Sequence, residues 1–408
     1  MRGTSDLFGF KGYDRRVWVL FYSRLIDGVG FSIVGPFLAL FMYDTMDAPL
    51  ALAGLVLTVA GVAGAVGSLV GGLAADRFGR WGVMTYSMLL RTSTFLALAF
   101  VISYWPNLWG IAGLLSVNYF FGGAFEPANN AMVADVVEPA KRLEAFGLLR
   151  VAWNLGFAFG PMVGGIIMSY SYFASFLASA MISLFAALIV AYYLKESYIP
   201  RPMERRPSVW REISSVRPLF LAFCIILIPM IVMSGQFGTT FTVYSSDRLL
   251  LSTTVIGLVF GLNGLMVVLF QIPIARWLGK RNMYLGMAGG TLLYCLGYLS
   301  LAAVTDGFGL ALAMVVITLG ELVVVPISMD LTVAMSGEEE RGKYLGIYGL
   351  ITSFGWFSAS LVGGVLYDSL TDNWLLWSAV SALGLLTVLG LVPLWSRDRR
   401  SRAAMVQK

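Results

Sequence analysis

Apolar residues along this 408-residue chain neither alternate nor fall into a single helical stripe. They come in runs of about 20 to 28 residues, uncharged or nearly so, divided by short polar segments. Such runs suit α-helices crossing a hydrocarbon layer about 30 Å thick; a membrane strand would need only about ten residues, with alternation. The pattern predicts spans at 17–43, 51–75, 82–103, 108–134, 145–168 and 173–194, then at 218–245, 252–275, 283–303, 308–335, 344–367 and 374–395. Between the sixth and seventh runs KESYIPRPMERRPSVWREISSVR, a polar Pro- and Arg-rich stretch. It divides the chain into a six-helix bundle at 1–194, a linker at 195–217 and a second six-helix bundle with its tail at 218–408. The predicted fold class is therefore an all-α integral membrane protein of twelve transmembrane helices.

Composition closes off the soluble classes. At 58% hydrophobic, 12% charged and a mean hydropathy of +0.79, the chain is far from a soluble domain, in which about a quarter of residues are charged. Cys224 and Cys295 both sit within apolar runs, so no disulfide framework or metal site is expected. Histidine is absent, which leaves proton chemistry to Asp and Glu. The N-terminal MRGTSDLFGFKGYDRR has no signal cleavage site, and the first run is too long for a signal core, so it is expected to remain as a span.

Lys and Arg crowd the side shared by both termini and the connector, whereas the opposite loops hold Arg248 alone. By the positive-inside rule the termini are expected in the cytoplasm, with the protein in the cell membrane. The net charge of +5 then reflects topology, and no nucleic-acid partner is implied.

The two halves echo each other. Adding 199 carries Pro127 to Pro326, Arg142 to Arg341, Gly147 to Gly346, Gly156 to Gly355 and Gly164 and Gly165 to Gly363 and Gly364, without a gap from 127 to 165. A parallel repeat of this kind implies two pseudo-symmetric bundles about an axis along the membrane normal. The echo breaks where Gly160 and Pro161 become Ala359 and Ser360.

Residues 147–165, GLLRVAWNLGFAFGPMVGG, carry the most specific spacing in the chain. Gly156, Gly160 and Gly164 recur every fourth residue, lining one helix face for close approach by another helix, and Pro161 removes one rung of the ladder. The matching Gly257 and Gly261 of span eight make that span the expected partner. An ordinary Gly-rich packing helix would share the face. The full spacing, with Gly147 and Gly165 at its ends, resembles the antiporter motif in the fifth span of exporters of the major facilitator superfamily, which implies the major facilitator fold.

The loop Gly72-Leu73-Ala74-Ala75-Asp76-Arg77-Phe78-Gly79-Arg80 resembles the second signature of that superfamily. Trp81 stands where the family usually has a second basic residue, and Ala74 where it has Leu. The resemblance implies a cytoplasmic latch in which Asp76, Arg77 and Arg80 engage one another or helix ends near span eleven, with Gly79 permitting the tight turn. A solvated turn is the plainer alternative. In the second half the stretch reads Ala275-Arg276-Trp277-Leu278-Gly279-Lys280-Arg281, with Arg276 in place of the Asp.

Charges inside spans each cost at least about 2.5–3.5 kcal/mol to insert and so require a use or a partner. Counting about 1.5 Å per residue, Asp27, Arg91 and Glu126 lie about 14 to 16 Å deep, at one level near the midplane; Glu321 lies about 22 Å up and Asp135 and Asp330 near the cytoplasmic mouth. Arg24 is one turn below Asp27. Static pairs, Arg24 with Asp27 and Arg91 with Glu126, are one reading. The other is a proton site built from Asp27 and Glu126 with Arg91 as their charge partner, since burial and a neighbouring Arg push a carboxylate in opposite directions. The stretches TLGE before Pro326 and NNAMVADV closing span four resemble proton-coupled multidrug exporters, implying substrate or proton handling by Glu321 and Asp135. Many members carry an Arg four residues before the Gly of span four; here that residue is Asn118.

Aromatic residues in the spans expected to line a cavity, Phe21, Tyr22, Phe31, Tyr119, Phe120, Phe157, Trp356 and Phe357, suit an amphipathic cation. The resemblance covers essentially the whole chain and implies a monomeric, proton-coupled drug exporter, not an enzyme and without cofactor, whose partners are the bilayer, protons and a small-molecule substrate. Uptake of a small polar solute by symport, or a receptor or scaffold that moves nothing, are the competing expectations.

Overall fold

The computed structural model describes residues 13–138, 141–197, 215–278, 282–336 and 340–406. The connector residues 198 to 214, the N-terminal residues to 12 and Gly279, Lys280 and Arg281 lie outside the described residues.

Among the described residues are fourteen α-helices: α1 (Arg15–Val34), α2 (Leu38–Met46), α3 (Leu50–Phe78), α4 (Arg80–Tyr104), α5 (Leu108–Val136), α6 (Arg142–Tyr170), α7 (Tyr172–Tyr193), α8 (Pro218–Ser234), α9 (Thr240–Asp247), α10 (Thr253–Leu278), α11 (Met283–Ser300), α12 (Gly307–Met335), α13 (Arg341–Ser369) and α14 (Asn373–Val406). Twelve candidate spans result, each long and apolar enough to cross a membrane. Eleven agree with the hydrophobic runs to within about three residues because polar residues punctuate those runs; the seventh, expected to reach 245, ends at Gly238, where a short turn interrupts it. Asn107, Ser171 and Asp306 accept from the backbone N–H groups of Gly110, Ala174 and Gly309, capping α5, α7 and α12 at their N-termini.

Spans one and seven are each interrupted by a short 3₁₀ turn, Gly35–Phe37 between α1 and α2 and Gly235–Gly238 between α8 and α9. Fully buried Gln236 satisfies the second break: Nε2 donates to the carbonyls of Val232 (2.9 Å) and Ala359 (3.0 Å), and Oε1 accepts from Thr240 (2.6 Å).

By contacts the chain forms two compact units, one of residues 1–34 and 63–202, the other of residues 35–62 and 203–408. The sequence boundary separates the halves along the chain; the contact units additionally assign the segment 35–62 to the second. In the first unit α1 packs on α6 and α7, and α4 on α5 and α7. In the second, α8 packs on α13 and α14, and α11 on α12 and α14. The pairing is the same span for span, the three-dimensional counterpart of the sequence echo. In the first unit a core gathers Leu20, Met84, Met88, Phe125 and Met132, each inaccessible to solvent, among other apolar residues. Large apolar side chains such as Leu69, Phe100, Phe185 and Leu389 face outward, as a lipid-facing surface requires. Cys224 and Cys295 are free and buried.

Candidate functional site

The sequence places Arg24 and Asp27 three residues apart on α1, close to one helix face. In the fold Asp27 is 2% exposed and is held from two sides. One carboxylate oxygen accepts from Nη1 of Arg91 on α4 at 2.5 Å. The other lies 3.8 Å from Nη1 of Arg24. Arg24 in turn makes a short ion pair through Nη2 with Glu126 of α5. The expected pairing of Arg91 with Glu126 is thus replaced by Arg91 with Asp27, and Arg24 bridges Asp27 and Glu126. Two guanidinium groups and two carboxylates balance the charge of the cluster, which is what allows it to sit in an apolar bundle.

Its members differ in access. The side chains of Asp27 and Arg91 are 3% and 5% exposed, whereas that of Glu126 is 49% exposed. Glu126 is therefore the carboxylate of the cluster that meets solvent, directly before Pro127 in α5. Protonating Asp27 would forfeit interactions with two guanidinium groups; protonating Glu126 forfeits its pair with Arg24.

Aromatic rings pack the cations. The Arg24 guanidinium lies 4.3 Å from the ring centroid of Trp153 on α6, and Arg91 lies between Phe31 and Phe95 at 5.9 and 5.8 Å. Trp153 stacks on Phe31 at 6.0 Å and neighbours Phe157 at 6.0 Å. Arg91 also needs room on α5: a Cβ added at Gly122 would come within 3.3 Å of its Nε. Asn118 lies alongside, donating through Nδ2 to Oγ1 of Thr94 (2.8 Å) and to the carbonyl of Arg91 (3.3 Å). The Asn therefore buttresses the backbone of the midspan arginine.

The α6 glycine face rests on α1, against the expectation of span eight. Added Cβ atoms at Gly156, Gly160 and Gly164 would collide with α1 at Leu25 and Gly28, at Val29 and Ser32, and at Ile33 respectively. The physical reason is that α1 offers its own small pair, Gly28 and Ser32, four residues apart. Ser32 Oγ donates to the carbonyl of Gly28 at 2.6 Å and across the seam to that of Gly156 at 3.1 Å. Pro161 lies within the continuous helix α6, Gly165 is buried beside Gly164, and Gly147 has open space over its Cα.

In the first unit, at the turn between α3 and α4, Arg80 gathers the signature-loop charges. Its Nε lies 3.1 Å from Asp135 and its Nη2 3.6 Å from Asp76. Gly79 takes φ +97°, a conformation L side chains rarely adopt, so the turn between α3 and α4 depends on it. The Glu196 carboxylate caps α4 there, accepting from the N–H groups of Arg80 (2.9 Å) and Trp81 (3.1 Å). Ser197 Oγ donates to Asp135 at 3.0 Å. Arg77 stands apart from this network, over the ring of Phe78 at 5.2 Å.

In the second unit Glu321 on α12 accepts at Oε2 from Asn263 Nδ2 on α10, at 2.8 Å. Glu321 belongs to the second unit, whereas Asp27, Arg24, Arg91 and Glu126 belong to the first.

Three participants escaped sequence reasoning: Trp153, Asn263 and Glu196. A polar Asn in the middle of an apolar span was a usable signal for Asn263. Trp153 resembles any other aromatic of a membrane helix, and Glu196 looks like an ordinary interfacial charge.

A chain of two repeated six-span units with compensated charges buried at mid-span has the build of a membrane transporter for small molecules. It belongs to the Major Facilitator Superfamily, whose sequence profile matches residues 20–360 and 251–406. Members are transporters and not enzymes. Among its relatives, the MFS-type transporter YqjV of Bacillus subtilis is 27% identical over 361 residues, covering 86% of each chain. A Na(+), Li(+), K(+)/H(+) antiporter of Planococcus maritimus is 26% identical, covering 85% of this chain and 88% of its own. The multidrug resistance protein MdtH of Yersinia enterocolitica is 24% identical, covering 95% and 96%. Among solved structures, the nucleoside transporter NupG matches with a TM-score of 0.77 at 14% identity, covering 92% and 99%. A POT family transporter in complex with 5-aminolevulinic acid matches at 0.76 and 15% identity, covering 96% and 98%. At these identities the structural matches speak for the fold alone.

Proposed function

We propose that the protein is a proton-coupled exporter of the cell membrane that moves lipophilic, positively charged compounds outward by alternating access, with both termini in the cytoplasm. The observation that carries this reading is the graded cluster on α1, α4 and α5: a buried Asp27–Arg91 pair, bridged by Arg24 to the half-exposed Glu126. Glu126 is the proton carrier, because it meets solvent and its protonation disturbs one guanidinium contact. Asp27 and Arg91 hold Arg24 in register. Glu321 provides the counter-charge for the substrate. The network of Asp76, Arg80 and Asp135, with Arg77 and Gly79 in the same turn, serves as the cytoplasmic latch. The glycine face of α6 keeps α1, and so the proton site, rigidly placed. Supporting the direction are the antiporter-motif spacing in α6 and the relationship to MdtH.

Exchange of an alkali cation for protons is a second reading, favoured by the relationship to the Planococcus antiporter. Transport in reconstituted vesicles, with and without an imposed pH gradient, separates the readings when cationic, neutral and anionic organic compounds are run beside Na⁺ and K⁺. Gradient-driven movement of organic cations supports drug export. Movement of alkali ions alone supports the second reading, and absence of any pH dependence overturns both.

A further inference from the structure

Asn263 and Glu321 meet where the first half has small residues. Adding 200 carries Ala75 to Ala275 and Gly79 to Gly279, so Asn263 corresponds to Ala63; adding 199 carries Gly122 to Glu321. The polar pair is thus private to the second half, and the repeated packing of helices does not require it.

Its geometry is specific. Nδ2 of Asn263 donates 2.8 Å to Oε2 of Glu321 and 3.0 Å to Oγ1 of fully buried Thr318, one turn earlier on α12. Thr318 donates its own proton to the carbonyl of Met314 at 2.7 Å. Both amide hydrogens are therefore in use. From α11, the titratable side chains of Tyr294 and Tyr298 lie close enough to Glu321 to interact with it electrostatically. From α10, Gln271 donates to the carbonyl of Leu322 at 3.4 Å, and from α13, Tyr348 shares a hydrogen bond with Ser328, two turns further along α12.

A carboxamide differs from a guanidinium in one respect that matters here. It carries donors on one arm and an acceptor on the other, so a half-turn exchanges N–H for C=O; a guanidinium only donates. Asn263 can donate to an ionised Glu321 and, turned over, accept the O–H of a protonated one. Thr318 can follow by rotating its hydroxyl proton onto the amide oxygen. Arg24 offers Glu126 no such second partner.

We propose that Asn263 is a positioning residue that lets Glu321 hold a cationic substrate and a proton alternately at the same carboxylate. When the cation leaves, a proton from solvent binds a Glu321 oxygen and the amide turns to accept it; when a cation arrives, that proton returns to solvent and the amide turns back. This rests on the reading of Glu321 as the counter-charge of the substrate.

The test is an infrared pH-difference titration of the full-length protein in lipid nanodiscs, following the carboxylic-acid band that Glu321→Gln removes. The wild type should show that band growing as pH falls. Asn263→Leu, lacking the donor that favours the ionised form, should move its midpoint upward by about one pH unit, a tenfold change in proton affinity. Asn263→Lys, which only donates, should abolish the titration. In parallel, tetraphenylphosphonium binding should be displaced by protons in the wild type and weakened about tenfold near neutral pH by Asn263→Leu. An unmoved midpoint in a folded Asn263→Leu overturns the proposal, as does a wild type without a titrating Glu321 band. If Asn263→Leu fails to fold, Asn263→Ser, which keeps one hydroxyl able both to donate and to accept, is read in its place: a retained titration sustains the proposal and a lost one overturns it. Should Glu321 titrate as described while tetraphenylphosphonium binding ignores Glu321→Gln, the fault lies with the substrate reading of Glu321.

Discussion

In the first unit buried Asp27 and half-exposed Glu126 face guanidinium groups, and in the second Glu321 meets a carboxamide. Asp27 sits between Arg91 and Arg24, with no exposed edge to speak of. Glu321 accepts from Asn263, which also engages Thr318. The difference teaches where charge is structural and where it is exchangeable. An ion pair sealed in an apolar bundle fixes the charge state of both members, because removing either leaves the other desolvated and uncompensated. An amide imposes no charge state, so the carboxylate beside it is able to respond to what arrives.

The largest expected effect follows from that contrast. Arg91→Leu leaves Asp27 buried without its 2.5 Å partner and should cost about 3–5 kcal/mol of stability, seen as a loss of folded yield and a lowered unfolding temperature in detergent. Removing both members in Asp27→Leu/Arg91→Leu should recover much of that loss. Asn263→Leu, by comparison, should cost about 1–3 kcal/mol. Equal destabilisation by Arg91→Leu and Asn263→Leu would break the distinction between the two regions.

Next comes the seam that carries Asp27. Gly160→Leu thrusts a side chain into Ser32 and Val29 of α1, and overpacking at a close helix contact typically costs about 1–3 kcal/mol. Reduced thermal stability with weakened gradient-driven transport is expected. Normal stability would mean that α1 and α6 do not need their close approach.

Function should then divide along the same line. Glu126→Gln is expected to weaken pH-driven efflux to what exchange at Glu321 alone sustains, while sparing downhill exchange of substrate, which requires binding and conformational cycling but no net proton movement. Glu321→Gln is expected to weaken cationic compounds about tenfold and leave neutral ones within about twofold. Full gradient-driven transport in Glu126→Gln would move the proton site to Glu321, Asp135 or Asp330.

Much of the architecture could be read from the residues because hydrophobic length acts locally along the chain. That Asp27, Arg91 and Glu126 belong together was legible too, since a count of residues gives them similar depths, and ion pairs through Arg24 link them. Their partners were not. Depth fixes one coordinate of a side chain, and the direction it faces depends on how neighbouring helices are rotated, which long apolar spans leave open. Arg24, three residues from Asp27, is turned about 60° from it around α1 and so reaches Glu126 while Asp27 reaches Arg91. The glycine face illustrates the same limit: the stripe announces a close contact and Gly257 and Gly261 made span eight the expected partner, whereas the face rests on Gly28 and Ser32 of α1.

The smallest effect expected concerns the turn after α3. Asp76 lies 3.6 Å from Arg80 and is substantially exposed, whereas Asp135 lies 3.1 Å from the same guanidinium and is better covered. Exposed pairs contribute about 0.2–1 kcal/mol, so Asp76→Asn should shift the balance between conformations by only a few-fold, and Asp135→Asn by more. In the second half Arg276 occupies the place of Asp76, so the like-charged turn has no carboxylate at that position to serve as a catch. Distances between spin labels at the span ends beside Arg80 would report the shift, because only a contact that differs between states can move their populations. Unchanged distance distributions in both variants would mean that the Arg80 network merely staples α3, α4 and α5 together. A shift in Asp135→Asn larger than in Asp76→Asn would identify the covered carboxylate as the stronger half of the latch.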